Sequence, residues 1–306
     1  MPGPPRGHAG RGRGLGRMNY RERALTFECC GERLVGVLAE PAEVSDVGVV
    51  IVVGGPQYRA GSHRQFVLLA RTLAAAGVSV LRYDYRGMGD ATGPMRSFED
   101  TGPDIAAGIG ALQSACPAIG RIVLWGLCDA ASSALIYWSG TLDPRIAGMV
   151  MLNPWVRSDA TIAKTHLKHY YGRRLLERDF WAKVARGKVG IGGAVMAVAG
   201  KLAAARGRPH KSGQTVAPVF QDRMAEGLRT FAGPVLILLS GRDLTAKEFL
   251  EYVNSSPRWS GLLDRGNVER HHVAEADHTF STARWRSEVE TRTLDWLRRK
   301  LDSGHA

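Results

Sequence analysis

A chain of 306 residues with 44% hydrophobic and 23% charged residues has the balance of a soluble globular protein with a sizeable core. No apolar run reaches membrane-spanning length and no secretory leader pattern opens the chain, so a cytoplasmic protein is expected. The net charge of +12 points to nucleic acid only until it is located. Residues 1–17 carry four arginines and no acid, and residues 157–208 carry twelve Lys/Arg against three Asp/Glu, so the rest is near neutral. Charge confined to a tail and one internal stretch fits an acidic ligand or a membrane surface there, or a plainly solvated face; no nucleic acid is expected.

In chain order, residues 1–17 are Gly, Pro and Arg with almost nothing to bury, a basic tail expected to be disordered, and Met18 offers an alternative start. Leu25–Cys29 and Leu34–Leu38 predict two short strands turning at Gly31, a hairpin at a sheet edge. Val49–Val53 is a continuous β-branched run, as in a strand buried on both faces. Strand and helix then alternate: helix Arg64–Ala76 ended by Gly77, strand Val78–Tyr83, helix Glu99–Ser114, strand Arg121–Trp125, helix Ala130–Ser139 and strand Ile146–Leu152. Residues 155–226 interrupt the alternation. His166–Arg186 reads as helical and basic, and Gly187–Arg208 as a mobile Gly/Ala/Lys/Arg stretch. The pattern resumes with strand Pro234–Leu239, a helix near Ala246–Val253, a strand near Val268–Val273 and an amphipathic helix Ala283–Leu301. Such alternation predicts an α/β fold, a mostly parallel sheet with helices on both faces. The division expected is a tail (1–17), a core (18–154 and 227–306) and an inserted cap or lid (155–226) overhanging the carboxyl ends of the strands, where ligands bind.

The chemistry concentrates at those ends. Gly126-Leu127-Cys128-Asp129-Ala130 passes from a strand into a helix in the pattern of a nucleophile elbow, with Cys for Ser and Ala for the last Gly. Such a turn demands small residues two before and two after the nucleophile. It also aims the amides of the following helix at the thiol, which favours thiolate. Taken alone, so short a pattern equally describes a buried cysteine at a strand end. What changes the balance is Asp243, just past the buried strand in Val-Leu-Ile-Leu-Leu-Ser-Gly-Arg-Asp, and His278 in Glu-Ala-Asp-His-Thr-Phe, between the last strand and last helix. His278 is the expected base and Asp243 the acid that fixes its tautomer. Asp277 is a rival acid too close in sequence to reach its neighbour's far nitrogen, and His271 and His272 are rival bases placed within a strand. For the oxyanion hole, Gly55 or Gln57 of Gly54-Gly-Pro-Gln would supply one backbone N–H and Asp129 the other. Asp84 and Arg86, in Tyr-Asp-Tyr-Arg-Gly-Met-Gly-Asp, are expected to pair beneath the site. Cys29, Cys30 and Cys116 have no disulfide or zinc spacing and read as inert.

With these residues assembled, the chain resembles the α/β-hydrolase superfamily over roughly Leu25 to Leu301. The resemblance implies an α/β-hydrolase fold with an eight-stranded, mostly parallel sheet flanked by helices. The segments Gly54-Gly-Pro-Gln-Tyr-Arg-Ala-Gly-Ser-His-Arg-Gln-Phe, Arg82-Tyr-Asp-Tyr-Arg-Gly-Met-Gly-Asp and Trp125-Gly-Leu-Cys-Asp-Ala-Ala-Ser are similar to those of the exosortase A system-associated hydrolase 1 family. Its members occur beside bacterial exosortase and exopolysaccharide genes, so a hydrolase is implied and its substrate is not. The expected function is hydrolysis of a small-molecule ester or thioester through an acyl-cysteine, with no cofactor and no metal. Acyl transfer to an alcohol on the same cysteine is the competing chemistry, since polyhydroxyalkanoate synthases resemble this layout. A third class is a non-catalytic binding protein on the same fold.

Overall fold

The computed structural model describes residues 19–43, 45–55, 57–157 and 219–301. Of the expectations above, the tail and both parts of the basic stretch, 166–186 and 187–208, lie outside the described residues.

The alternating N-terminal segment forms a hairpin of β1 (Tyr20–Cys29) and β2 (Glu32–Pro41), paired antiparallel from Tyr20 opposite Pro41 to Cys29 opposite Glu32. The turn residues Cys30 and Gly31 both have positive φ, 51° and 79°, as a two-residue hairpin turn of the right twist requires. Next come β3 (Val47–Val52), α1 (Gln65–Ala75), β4 (Ser79–Asp84), α2 (Gly102–Ala115), β5 (Arg121–Leu127), α3 (Asp129–Thr141) and β6 (Ile146–Leu152). After the undescribed stretch follow α4 (Phe220–Thr230), β7 (Val235–Ser240), α5 (Leu244–Ser255), β8 (Val268–Val273) and α6 (Ala283–Leu301).

The eight strands form one sheet in the order β1-β2-β4-β3-β5-β6-β7-β8. β2 runs antiparallel to both β1 and β4, and every other pairing is parallel. β3, β4 and β7 are buried along their whole length, which is why they read as unbroken apolar runs. α1 and α6 touch each other on one side of the sheet, while α2, α3 and α4 pack in succession on the other. Phe66 of α1 meets Trp125 of β5 edge to face at 5.7 Å. Gly148 in β6 leaves room for the Trp296 ring of α6, which an added Cβ would approach to 2.9 Å.

Two boundaries differ from expectation for local reasons. Helix α2 starts at Gly102, because Ser97 caps a separate 3₁₀ turn at Phe98–Asp100 by accepting the Glu99 N–H. Pro103 then sits in the first helical turn, where its missing N–H costs nothing. Helix α4 begins inside the stretch 155–226 read as an insert and packs on α3. Gly227 permits the contact, since a side chain there would run into the Leu135 carbonyl. Among the described residues, no helix is long and apolar enough to cross a membrane.

Candidate active site

Cys128 occupies the turn between β5 and α3 with φ 63° and ψ −125°, a conformation that costs an L-residue on the order of 1–3 kcal/mol. Its backbone is held from several sides. The Cys128 N–H donates to the Leu152 carbonyl at 2.8 Å, and its own carbonyl accepts from Ala131 and Trp155. Gly126 is sterically obligatory, as a Cβ there would lie 2.7 Å from Ala130 C and Ala131 N. Gly54 is required for a different reason: its Cα lies against Oδ1 of Asp129. Gly126 thus has the steric role read from the sequence, and Ala130 is buried beside it.

The acid and base come from the ends of β7 and β8. His278 Nδ1 lies 2.8 Å from Asp243 Oδ2. Asp243 is buried and is also the N-cap of α5, accepting the amides of Thr245 and Ala246 at 3.1 Å each. Burial pushes the Asp243 carboxyl up, but the His278 hydrogen bond and those two amides overcome it and hold the group below its ordinary value. Asp277 instead caps its own loop, accepting Thr279 N–H and Ser281 N–H at 3.2 and 3.0 Å, with the Ser281 hydroxyl as a third donor. His271 is bonded to Glu288 of α6 at 2.8 Å.

A residue the sequence reading missed, Asn153, ties these loops together. It follows β6 with φ 44° and is fully buried. Its Nδ2 donates to Ser240 Oγ (2.9 Å) and to the His278 carbonyl (3.0 Å), while its Oδ1 accepts the Ser240 N–H (2.8 Å). Ser240 Oγ in turn donates to the Asp277 carbonyl at 2.8 Å. The only local signal was an amide side chain followed by proline at the end of a buried strand, which reads as a loop start.

The electrostatics at the thiol run against the sequence expectation. Burial pushes the Cys128 thiol up to about 12; the Asp129 carboxylate adds to this, while the Asp129 amide and the Arg157 charge oppose it. The helix amide does favour thiolate, but desolvation wins. Burial thus disfavours the Cys128 thiolate, and the thiol makes no side-chain hydrogen bond to His278 in this structure. Arg157 lies 4.9 Å over the Trp155 ring and is held by Glu248 at 2.7 Å.

Of the oxyanion-hole candidates, Gly55 (φ 59°) already donates its N–H to Asp129 Oδ2 at 2.9 Å, and its carbonyl accepts the Tyr85 hydroxyl at 3.4 Å. The Gln57 side chain accepts the Ser62 N–H at 3.3 Å, and its own amide donates to no acceptor among the described residues. The Asp129 amide faces the Cys128 sulfur. Asp84 and Arg86 do not pair with each other. Asp84 takes the Arg59 guanidinium and the amides of Arg59 and Asp90, because Gly89 brings the loop against it; Arg86 turns to Asp104 of α2 at 2.7 Å. Cys29 and Cys116 are buried, and Cys30 is exposed in the hairpin turn. Among the described residues, no group of three or more His, Cys, Asp or Glu side chains is placed to hold a metal ion.

A model of the alpha/beta hydrolase family matches residues 49–291, from β3 into α6. The chain belongs to the alpha/beta hydrolase family. Solved structures similar to this alpha/beta hydrolase include the esterase Pf2001 of Pyrococcus furiosus, with TM-score 0.61, 18% identity and coverage of 93% of this chain and 94% of that one. GrgF, an alpha/beta hydrolase from Penicillium sp. sh18, has TM-score 0.61 and 16% identity, over 92% and 99% of the two chains. Est1E of Butyrivibrio proteoclasticus, solved with ferulic acid bound, has TM-score 0.58 and 14% identity, over 91% and 100%. At these identities the likeness to the three structures is one of fold. No curated protein matches this alpha/beta hydrolase.

Proposed function

We propose that this protein hydrolyses a small-molecule ester or thioester through an acyl-cysteine on Cys128, with His278 as general base and Asp243 as its orienting acid. The observation that carries the reading is the 2.8 Å hydrogen bond from His278 to buried Asp243, made at the strand ends that also carry the strained Cys128 turn. In the reaction, the Cys128 sulfur bonds to the acyl carbon as His278 takes the thiol proton. The tetrahedral oxyanion accepts backbone N–H groups, those of Asp129 and of Gly55 or Gln57 being the candidates. Its collapse expels the leaving group, which takes the proton back from the imidazolium. Water then attacks the acyl-cysteine with His278 again as base, releasing the acid and restoring the thiol.

Esterases among the similar folds support acyl chemistry at the level of fold. The sequence similarity to exosortase A system-associated hydrolases supports a role beside a bacterial exosortase and exopolysaccharide system. The basic stretch 157–208 offers an acidic ligand or a membrane surface a counterpart. The test is a screen of p-nitrophenyl esters and acyl-CoA thioesters against wild type, Cys128→Ala and His278→Ala, with product analysis. Turnover to free acid that disappears in both variants is expected. Undiminished turnover in Cys128→Ala would overturn the reading, and an acylated alcohol in place of free acid would replace hydrolysis by transfer.

A further inference from the structure

The residue after the nucleophile contributes more than a backbone amide. The Asp129 side chain folds back across the elbow, and Oδ2 accepts the Gly55 N–H at 2.9 Å. That amide follows β3, where the fold supplies one of its two oxyanion donors. The other carboxylate oxygen, Oδ1, is buried against Gly54 beside the Ala130 amide and makes no hydrogen bond of good geometry among the described residues. A side chain at position 54 would collide with it, so the Gly54-Gly55 pair leaves room for a carboxylate as well as for a substrate. An acidic group therefore occupies one of the candidate oxyanion amides, that of Gly55.

We propose that the Asp129 carboxylate is a positioning group that fills the oxyanion hole of the free protein and is displaced by the acyl oxygen of the substrate. The inference rests on Cys128 being the nucleophile. Three charged or titratable groups face Asp129. The Cys128 thiol adjoins it on the elbow, His278 approaches from the loop after β8, and Tyr85, whose hydroxyl holds the other side of Gly55, approaches from the end of β4. Burial makes Asp129 harder to ionise than an ordinary aspartate, against the opposing pull of the Gly55, Ala130 and Asp129 amides and of His278. A protonated carboxyl is the weaker acceptor for an N–H. Occupancy of the hole thus rises with pH as Asp129 ionises, and falls as it takes a proton.

The test uses hexanal, which adds reversibly to a thiol. The Cys128 sulfur bonds to the aldehyde carbon, the π pair moves onto oxygen, and the thiol proton reaches that oxygen through His278. The new oxygen seeks the same amides. Hexanal binding is measured on the full chain across pH for wild type, Asp129→Ala, Asp129→Asn and Cys128→Ala, with thermal melts to confirm folding. At mildly alkaline pH, Asp129→Ala is expected to bind about tenfold more tightly than wild type, the weight of one charge-assisted hydrogen bond. That gap should narrow as pH falls, and Asp129→Asn should lie between the two with no pH dependence from this position. If Asp129 merely braces the Gly55 loop, both variants bind hexanal no better than wild type, and the inference is overturned. Equal binding by Cys128→Ala and wild type would sink the nucleophile assignment instead, so the two failures are distinguishable.

Discussion

At the β5–α3 elbow, Cys128 is held by backbone alone: a turn at φ 63°, main-chain hydrogen bonds to Leu152, Ala131 and Trp155, and a glycine at 126 where no side chain fits. At the ends of β7 and β8, Asp243 and His278 are held by attraction, through a chain of hydrogen bonds that runs Asn153–Ser240–Asp277 and Asn153–His278–Asp243. The carboxylates on the two sides differ in the same way. Asp129 sits where burial outweighs its donors and is pushed above the ordinary range, whereas Asp243 has a histidine and two helix amides and is held below it. One site can thus keep one acid reluctant to ionise and another reliably ionised, by supplying donors to only one of them fully.

The comparison breaks most visibly through chemistry. Cys128→Ala is expected to lose at least about a thousandfold in kcat, the scale of removing a nucleophile from a triad, with its thermal midpoint little changed; steady-state kinetics beside a melt will show it. Asp243→Asn should separate the two duties of that residue. Asn is as good a helix N-cap as Asp, so the cap should hold and the stability lost near neutral pH should be only what the carboxylate's bond to His278 contributes. The imidazole then loses its orienting anion, and kcat should fall by on the order of 10²–10⁴. An unchanged rate would show that His278 does not depend on that anion.

Asn153→Ala removes three buried hydrogen bonds at once. Each is worth about 1 kcal/mol net, so urea denaturation should show a loss of about 2–3 kcal/mol. Activity should fall as well, because the His278 carbonyl is released. The subtlest test is the pH dependence of stability. Asp243, with its folded value depressed, contributes stability above its unfolded value near about 4, and this is lost as pH falls through the folded value. Asp129, with its folded value raised, contributes stability below its unfolded value, and this is lost as pH rises through the folded one. Asp243→Asn should therefore flatten the acid side of the stability profile. Asp129→Asn should stabilise the protein near neutral pH relative to its effect in acid, and the opposite sign would contradict the environment described for either carboxylate.

The steric half of the site was legible in the sequence and much of the attractive half was not. Gly126, Ala130 and the buried runs of β3 and β7 are local patterns with local causes, so composition and spacing locate them. The order Cys128, Asp243, His278 along the chain was also readable, because each follows a strand. By contrast, Asn153 reaches Ser240 and His278 across the sheet edge, separations of 87 and 125 residues, and no local pattern announces such partners. The expected Asp84–Arg86 pair failed for the same reason: Arg59 and Asp104 were nearer in space than the residue two positions away. The balance of effects on the thiol was hidden differently. The helix amide was foreseen correctly, but the opposing burial of the thiol and the fold-back of the Asp129 carboxylate become visible only in three dimensions.

Because the carboxylate bonded to His278 is also the N-cap of helix α5, fraying of that helix and loss of the His278–Asp243 pair are expected to be coupled. The Thr245 and Ala246 amides both end on Asp243, so their exchange with deuterated solvent counts the openings in which the imidazole loses its partner. Those two backbone protons are a built-in gauge of how often the site falls apart while the rest of the sheet stays folded.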